Sequence, residues 1–178
     1  MKLISTKIED LLLIENLKID DNRGSFNKIF NFNFFKENNL NTVFKEQYYS
    51  ISRKNTLRGF HFQIPPEDHI KIVNCIKGEV LDVVVDLRKN SNTFGCYEKF
   101  ILNENDNFSL YIGKGLAHGF YSKKDQTIMF YNTSSQHSPN HDYGIFWNSL
   151  NIDWGVTNPI LSKRDKNFPK FSDFVSPF

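Results

Sequence analysis

The sequence predicts an all-β fold, a sandwich or barrel of the jelly-roll kind, on three observations. Short apolar stretches recur at regular spacing, turn-forming residues separate them, and the clearest stretch alternates with a period of two. Over residues 79–87, Leu81, Val83, Val85 and Leu87 fall on one face, while Asp82, Val84 and Asp86 fall on the other. That is the pattern of a strand.

Taken in chain order, the segment from Asp20 to Phe26 reads as a turn leading into a strand. An aromatic stretch with Phe30, Phe32, Phe34 and Phe35 follows, with a short helix over residues 33–37. This N-terminal arm, residues 1–45, is too apolar to stay uncovered. It either packs on its own barrel or crosses to a second subunit. Residues 70–76 form a strand, and Lys77-Gly78 is the tight turn joining it to residues 79–87. Residues 97–102, 108–112 and 127–132 continue the series, with turn clusters at 103–106, 113–115 and 123–125 between strands. A second short helix is expected near residues 162–165. No repeat, low-complexity tract or linker interrupts the chain, which predicts a single domain over residues 1–178.

Composition excludes several partners. The net charge is +2 and the basic residues are scattered, which argues against a nucleic-acid footprint. No apolar run approaches the ~20 residues of a membrane span, and the first seven residues lack a signal-peptide pattern. Cys75 and Cys96 make no disulfide framework, so a cytoplasmic protein with two reduced thiols is expected.

The chemistry concentrates in residues 57–71, Leu-Arg-Gly-Phe-His-Phe-Gln-Ile-Pro-Pro-Glu-Asp-His-Ile-Lys. Arg58, His61 and Lys71 supply a guanidinium, an imidazole and an ammonium on one strand-turn-strand unit. If that unit faces a pocket, it can clamp a phosphorylated substrate and pull a proton from carbon beside a carbonyl. The alternative is a solvated turn with three unrelated polar residues.

From Asp21-Asn22-Arg23-Gly24 to Leu161-Ser162-Lys163-Arg164-Asp165, the chain resembles the dTDP-4-dehydrorhamnose 3,5-epimerase family. The shared motifs include Leu57-Arg58-Gly59-Phe60-His61-Phe62-Gln63, Val83-Val84-Val85-Asp86-Leu87-Arg88 and Ser91-Asn92-Thr93-Phe94-Gly95. Gly115-Leu116-Ala117-His118-Gly119-Phe120 and Gly144-Ile145-Phe146-Trp147-Asn148 continue them in order. The resemblance implies a cupin-type jelly roll, a homodimer with exchange of the N-terminal arm, and no cofactor, metal included. It makes His61 the base, Asp165 the carboxylate that orients it, Lys71 the group at the O4 oxyanion and Tyr131 the acid on the opposite face. It makes Arg58 a diphosphate ligand, Arg23 a diphosphate ligand reaching in from the neighbouring subunit, and Phe26 and Gln47 substrate contacts. His118 becomes a pocket-wall residue. A metal cupin would want a His-x-His pair, and Gln63 stands at its second place.

The nucleotide side departs from the family pattern. Glu46 and Tyr48 stand where Gln and Asn are usual, Lys28 where an acidic residue often lies, and Gln136-His137 where two tyrosines do. The same reaction on a changed substrate is the expectation: an NDP-4-keto-6-deoxy sugar carried on dTDP or GDP, or a heptose, inverted at C3, C5 or both. The rival readings are a 3,4-ketoisomerase and a sugar-nucleotide-binding cupin without activity.

Overall fold

Thirteen strands, one short α-helix and two single 3-10 turns make up the computed structural model, which describes residues 1–178. The strands are β1 (Lys2–Ser5), β2 (Leu11–Glu15), β3 (Leu17–Asp21), β4 (Gly24–Lys28), β5 (Glu46–Ser52), β6 (Leu57–Gln63) and β7 (Lys71–Lys77). They continue with β8 (Glu79–Asp86), β9 (Tyr97–Asn103), β10 (Phe108–Ile112), β11 (Leu116–Ser122), β12 (Thr127–Thr133) and β13 (Asp142–Gly144). Helix α1 covers Phe32–Glu37, capped by the Asn31 side chain, which accepts from the Phe34 amide.

A six-stranded sheet, ordered β1-β2-β10-β7-β12-β5, faces a five-stranded sheet, ordered β13-β6-β11-β8-β9. Two-residue alternation explains the core between them. Val73, Leu110 and Met129 of one sheet meet Val80, Val84 and Phe120 of the other. The opposite face of β8 is buried as well: Val83 and Val85 pack beneath Trp147, Trp154 and the C-terminal phenylalanines. On the outer face of the six-stranded sheet, Phe35 covers Ile14, Ile72 and Tyr111.

Two expectations change. Lys77-Gly78 does join β7 to β8, but these strands lie in opposite sheets, so the turn is a corner and not a hairpin. Residues on both faces of β8 are buried, so its alternation sorts them between two cores. The second helix is one 3-10 turn, Asp165–Asn167, and it begins with a buried aspartate. In the N-terminal arm, β1 and β2 join the protein's own six-stranded sheet, and Phe30, Phe34 and Phe44 pack around Phe35. Only the β3–β4 hairpin stands apart as a two-stranded sheet, with Ile19 and Phe26 paired across it and both exposed.

A bulge in β6 shapes the interior. Arg58 and His61 are three residues apart, so strict alternation would send them to opposite faces. Opposite β11, Arg58 pairs with Phe120 and His61 with His118, so two residues, Gly59 and Phe60, face Gly119 alone. Both polar side chains therefore reach the same face, while Leu57, Phe60 and Phe62 enter the outer core. Gly59 has φ of 121°, and a Cβ there would sit 2.6 Å from Gly119 Cα and 2.7 Å from the His118 carbonyl oxygen. Gly59→Ala is therefore expected to destabilise the fold by roughly 2–5 kcal/mol, combining backbone strain with overpacking. Urea denaturation would measure it; an unchanged midpoint would refute the account.

Candidate active site

The bulge carries His61 to the C-terminal segment. Leu57 N–H donates to Ile160 O at 3.0 Å, and Ile160 N–H to Asn55 O at 2.7 Å, clipping that segment beside β6. The chain then turns at Ser162, whose hydroxyl accepts from the Asp165 amide at 3.0 Å. Asp165 is thereby buried beneath His61, and His61 Nε2 donates to its Oδ1 at 2.9 Å. The Gly59 amide donates to the other oxygen at 3.3 Å. Burial alone would raise this carboxyl, but the hydrogen bonds from His61, Ser162 and Gly59 hold it below the ordinary range. An ionised carboxylate accepts only, so in the neutral imidazole the proton sits on Nε2 and the lone pair on Nδ1.

Phe168 fixes the other side of the imidazole, edge-on at 5.5 Å. Its ring lies where a Gly144 Cβ would be, with ring atoms 2.3–2.6 Å from that position. The Arg164 guanidinium covers the same ring at 5.1 Å.

His61 opens on a chamber of about 180 Å³ between the sheets. Tyr131 enters from β12 in the facing sheet, Lys71 from β7, and Arg58 and His118 from β6 and β11. Lys71 is 7% exposed; burial lowers its ammonium to about 8, and Nζ donates to the His61 carbonyl at 3.2 Å. Burial pushes the Tyr131 phenol far above its ordinary range, so it stays protonated. Its hydroxyl has Ser50 at 3.4 Å. Arg58 is braced by Ser52 Oγ at 3.1 Å and Ile51 O at 3.2 Å. His118 Nε2 donates to the buried Asp82 at 2.8 Å.

A wider vestibule of about 390 Å³ adjoins the chamber, and Tyr48, His61 and Lys71 line both. Asp142 bridges there between His137 at 2.9 Å and Arg164 at 2.7 Å. Arg53, Arg58 and Arg164 edge a third opening over His61, where their charges suit a phosphate.

The structure brings His61, Asp165, Lys71, Tyr131, Arg58 and His118 together. Arg23 and Phe26 stand apart: they lie on the exposed hairpin, with Arg23 paired to Asp21 at 2.6 Å. Gln47 is a correction. Alternation along β5 sends it to the face opposite Tyr48, where its amide donates to Asn132 at 2.5 Å. Glu46 and Tyr48 line the cavity instead. Sequence reasoning also missed Asp82, whose signal was a charge between Val80 and Val84 on a core-facing strand side. Arg164, which follows Lys163 in the shared C-terminal motif, adds a guanidinium at the cavity that the sequence pattern did not single out.

Fold and site together define a cupin-type jelly roll whose chamber gathers an imidazole–carboxylate pair, a buried ammonium and a phenol. The chain belongs to the dTDP-4-dehydrorhamnose 3,5-epimerase family, whose model matches residues 5–173. It is similar to the dTDP-4-dehydrorhamnose 3,5-epimerase of Shigella flexneri, 40% identical over 176 residues and 97% of each chain. The enzyme of that name from Bacillus anthracis, solved with TDP and PPi bound, superposes with a TM-score of 0.92 at 36% identity, covering 96% of this chain and 99% of the other. ChmJ, a 3'-monoepimerase from Streptomyces bikiniensis solved with dTDP-quinovose, superposes with a TM-score of 0.88 at 29% identity, covering 94% and 86%.

Proposed function

We propose that this protein epimerises a nucleotide-linked 4-keto-6-deoxy sugar in deoxysugar biosynthesis, by proton abstraction and return through an enolate. One observation carries the reading: the His61–Asp165 pair and Tyr131 enter the same chamber from opposite sheets. A planar enolate between them loses a proton to one face and regains one on the other, which is inversion. The C3 and C5 hydrogens flank the ketone, so their removal places negative charge on O4. The Lys71 ammonium meets that charge. His61 Nδ1 takes the proton, and Asp165 stabilises the imidazolium that results. Tyr131 returns a proton, since a carbon acid beside a ketone is weaker than a phenol and the transfer runs downhill. Arg58, with Arg164 beside it, holds the diphosphate.

Similarity to dTDP-linked epimerases favours a dTDP sugar, and similarity to the monoepimerase ChmJ keeps inversion at C3 alone within the reading. Glu46, Tyr48 and His137 in the vestibule favour a second version, the same chemistry on a GDP-linked sugar or a heptose. Incubation with 4-keto-6-deoxy sugars on dTDP and on GDP in deuterated water, followed by NMR at C3 and C5, separates these. Deuterium wash-in is expected at one or both carbons, whereas migration of the ketone from C4 to C3 would mean an isomerase. Neither event on any substrate would mean a binding protein. Tyr131→Phe is expected to slow inversion by about 10²-fold while wash-in persists.

The reading includes a cytoplasmic homodimer. Both thiols are free. The hairpin displays Ile19 and Phe26, 53% and 55% exposed, with Arg23 at its tip, a surface suited to a second copy whose chamber then receives Arg23 and Phe26. Light scattering should give twice the 20.9 kDa chain mass; a monomer that is fully active would refute the exchange.

A further inference from the structure

We propose that Tyr48 is a positioning residue for Tyr131: its ring holds the acid in place and so sets how often proton exchange ends in inversion. This rests on the epimerase reading, in which Tyr131 returns the proton. The two tyrosines stand directly opposite one another in the register of β5 and β12. Their rings stack, with centroids 4.7 Å apart and planes within 17°. Cross-strand aromatic pairs of this kind stabilise a sheet beyond the area they bury. Tyr131 also meets the His118 ring edge-on, with centroids 6.3 Å apart and planes at 65°.

The hydroxyl is poorly tethered by comparison. Ser50 lies 3.4 Å away, beyond the usual range for an O–H···O bond. Ring packing, and not hydrogen bonding, therefore decides where the phenol oxygen sits. β5 is the outermost strand of its sheet, and Tyr48 is the ring it lays on Tyr131. Tyr48 also lines both the chamber and the vestibule, so its removal opens one face of the acid to the vestibule.

The consequence is kinetic. Once His61 has taken the proton, the enolate has two fates. Return from His61, once its proton has exchanged with solvent deuterium, restores the starting configuration labelled; delivery from Tyr131 inverts the carbon. A displacement of the donor by about 1 Å costs up to about 10²-fold in the second path and leaves the first alone.

Tyr48→Asn removes the ring at a site 43% exposed on an edge strand, where the fold loses little. At saturating substrate the ratio of inversion to exchange is expected to fall about tenfold or more, whatever loss of the ring does to substrate affinity. Tyr48→Phe keeps the ring and is expected to restore the wild-type ratio of inversion to exchange. Wash-in by the variant is its own control for an intact site, and Tyr48→Leu serves if the asparagine variant does not fold. An unchanged ratio in the ring-less variant, or equal loss of both rates, would overturn the proposal. If wild type shows no wash-in on any 4-keto sugar, the epimerase reading fails first and takes this one with it.

Discussion

His61→Ala is expected to abolish deuterium wash-in at the ring carbons and to lower kcat by on the order of 10²–10⁴-fold. The loss should fall on kcat more than on KM, because the imidazole acts on a hydrogen and the arginines hold the diphosphate. Truncation also leaves Asp165 buried beneath the bulge with its main partner gone. Stripping a buried carboxylate of its principal donor costs about 1–3 kcal/mol, so the alanine variant should also melt at lower temperature. His61→Gln separates the two effects. Its amide nitrogen ends near the position of Nε2, so it keeps a donor for Asp165 and supplies no base, and it should lose the same rate with a smaller fall in melting temperature. Wash-in at the wild-type rate in either variant would end the assignment of His61 as base.

The behaviour of β6 shows where reading a sequence stops. The alternation over residues 79–87 was legible because each side chain has a buried destination, and two cores, one on each face of β8, satisfy it. The strands around it follow from the same rule. Arg58 and His61 could be suspected of acting together from their chemistry, yet their odd spacing argues for opposite faces. What unites them is a bulge opposite Gly119, and that depends on the partner strand. By local pattern Asp165 only closes the short helix expected near residues 162–165, and its role came from the family resemblance alone. Its burial follows from the clip between Asn55, Leu57 and Ile160, contacts more than a hundred residues apart in sequence. Gln47 failed for the converse reason: it sits one position off the cavity face of β5, and a period of two leaves no intermediate orientation. The Lys77-Gly78 turn has a hairpin's length, but its two strands go to different sheets, and no local signal distinguishes a corner from a hairpin.

Lys71→Met is expected to lower kcat by about 10²–10³-fold, the usual loss when one oxyanion partner is removed. Folding should survive, since methionine fills a similar volume and a buried ammonium costs solvation. The wild-type pH profile carries the sharper test. Burial brings Lys71 from an ordinary 10.5 down to about 8, so its charge is lost as pH rises through about 8. The kcat/KM of the free enzyme should therefore decline on the alkaline side, tenfold per unit beyond that point, and this limb should vanish in Lys71→Met. Stability moves the other way. Between about 8 and 10.5 the unfolded chain binds the proton that the folded chain has released, so this group's contribution to stability rises with pH across that window. Activity falling while the Lys71 contribution to stability grows cannot be a trace of unfolding. An alkaline limb retained unchanged by the methionine variant would assign the titration to another group, and O4 would then need a different partner.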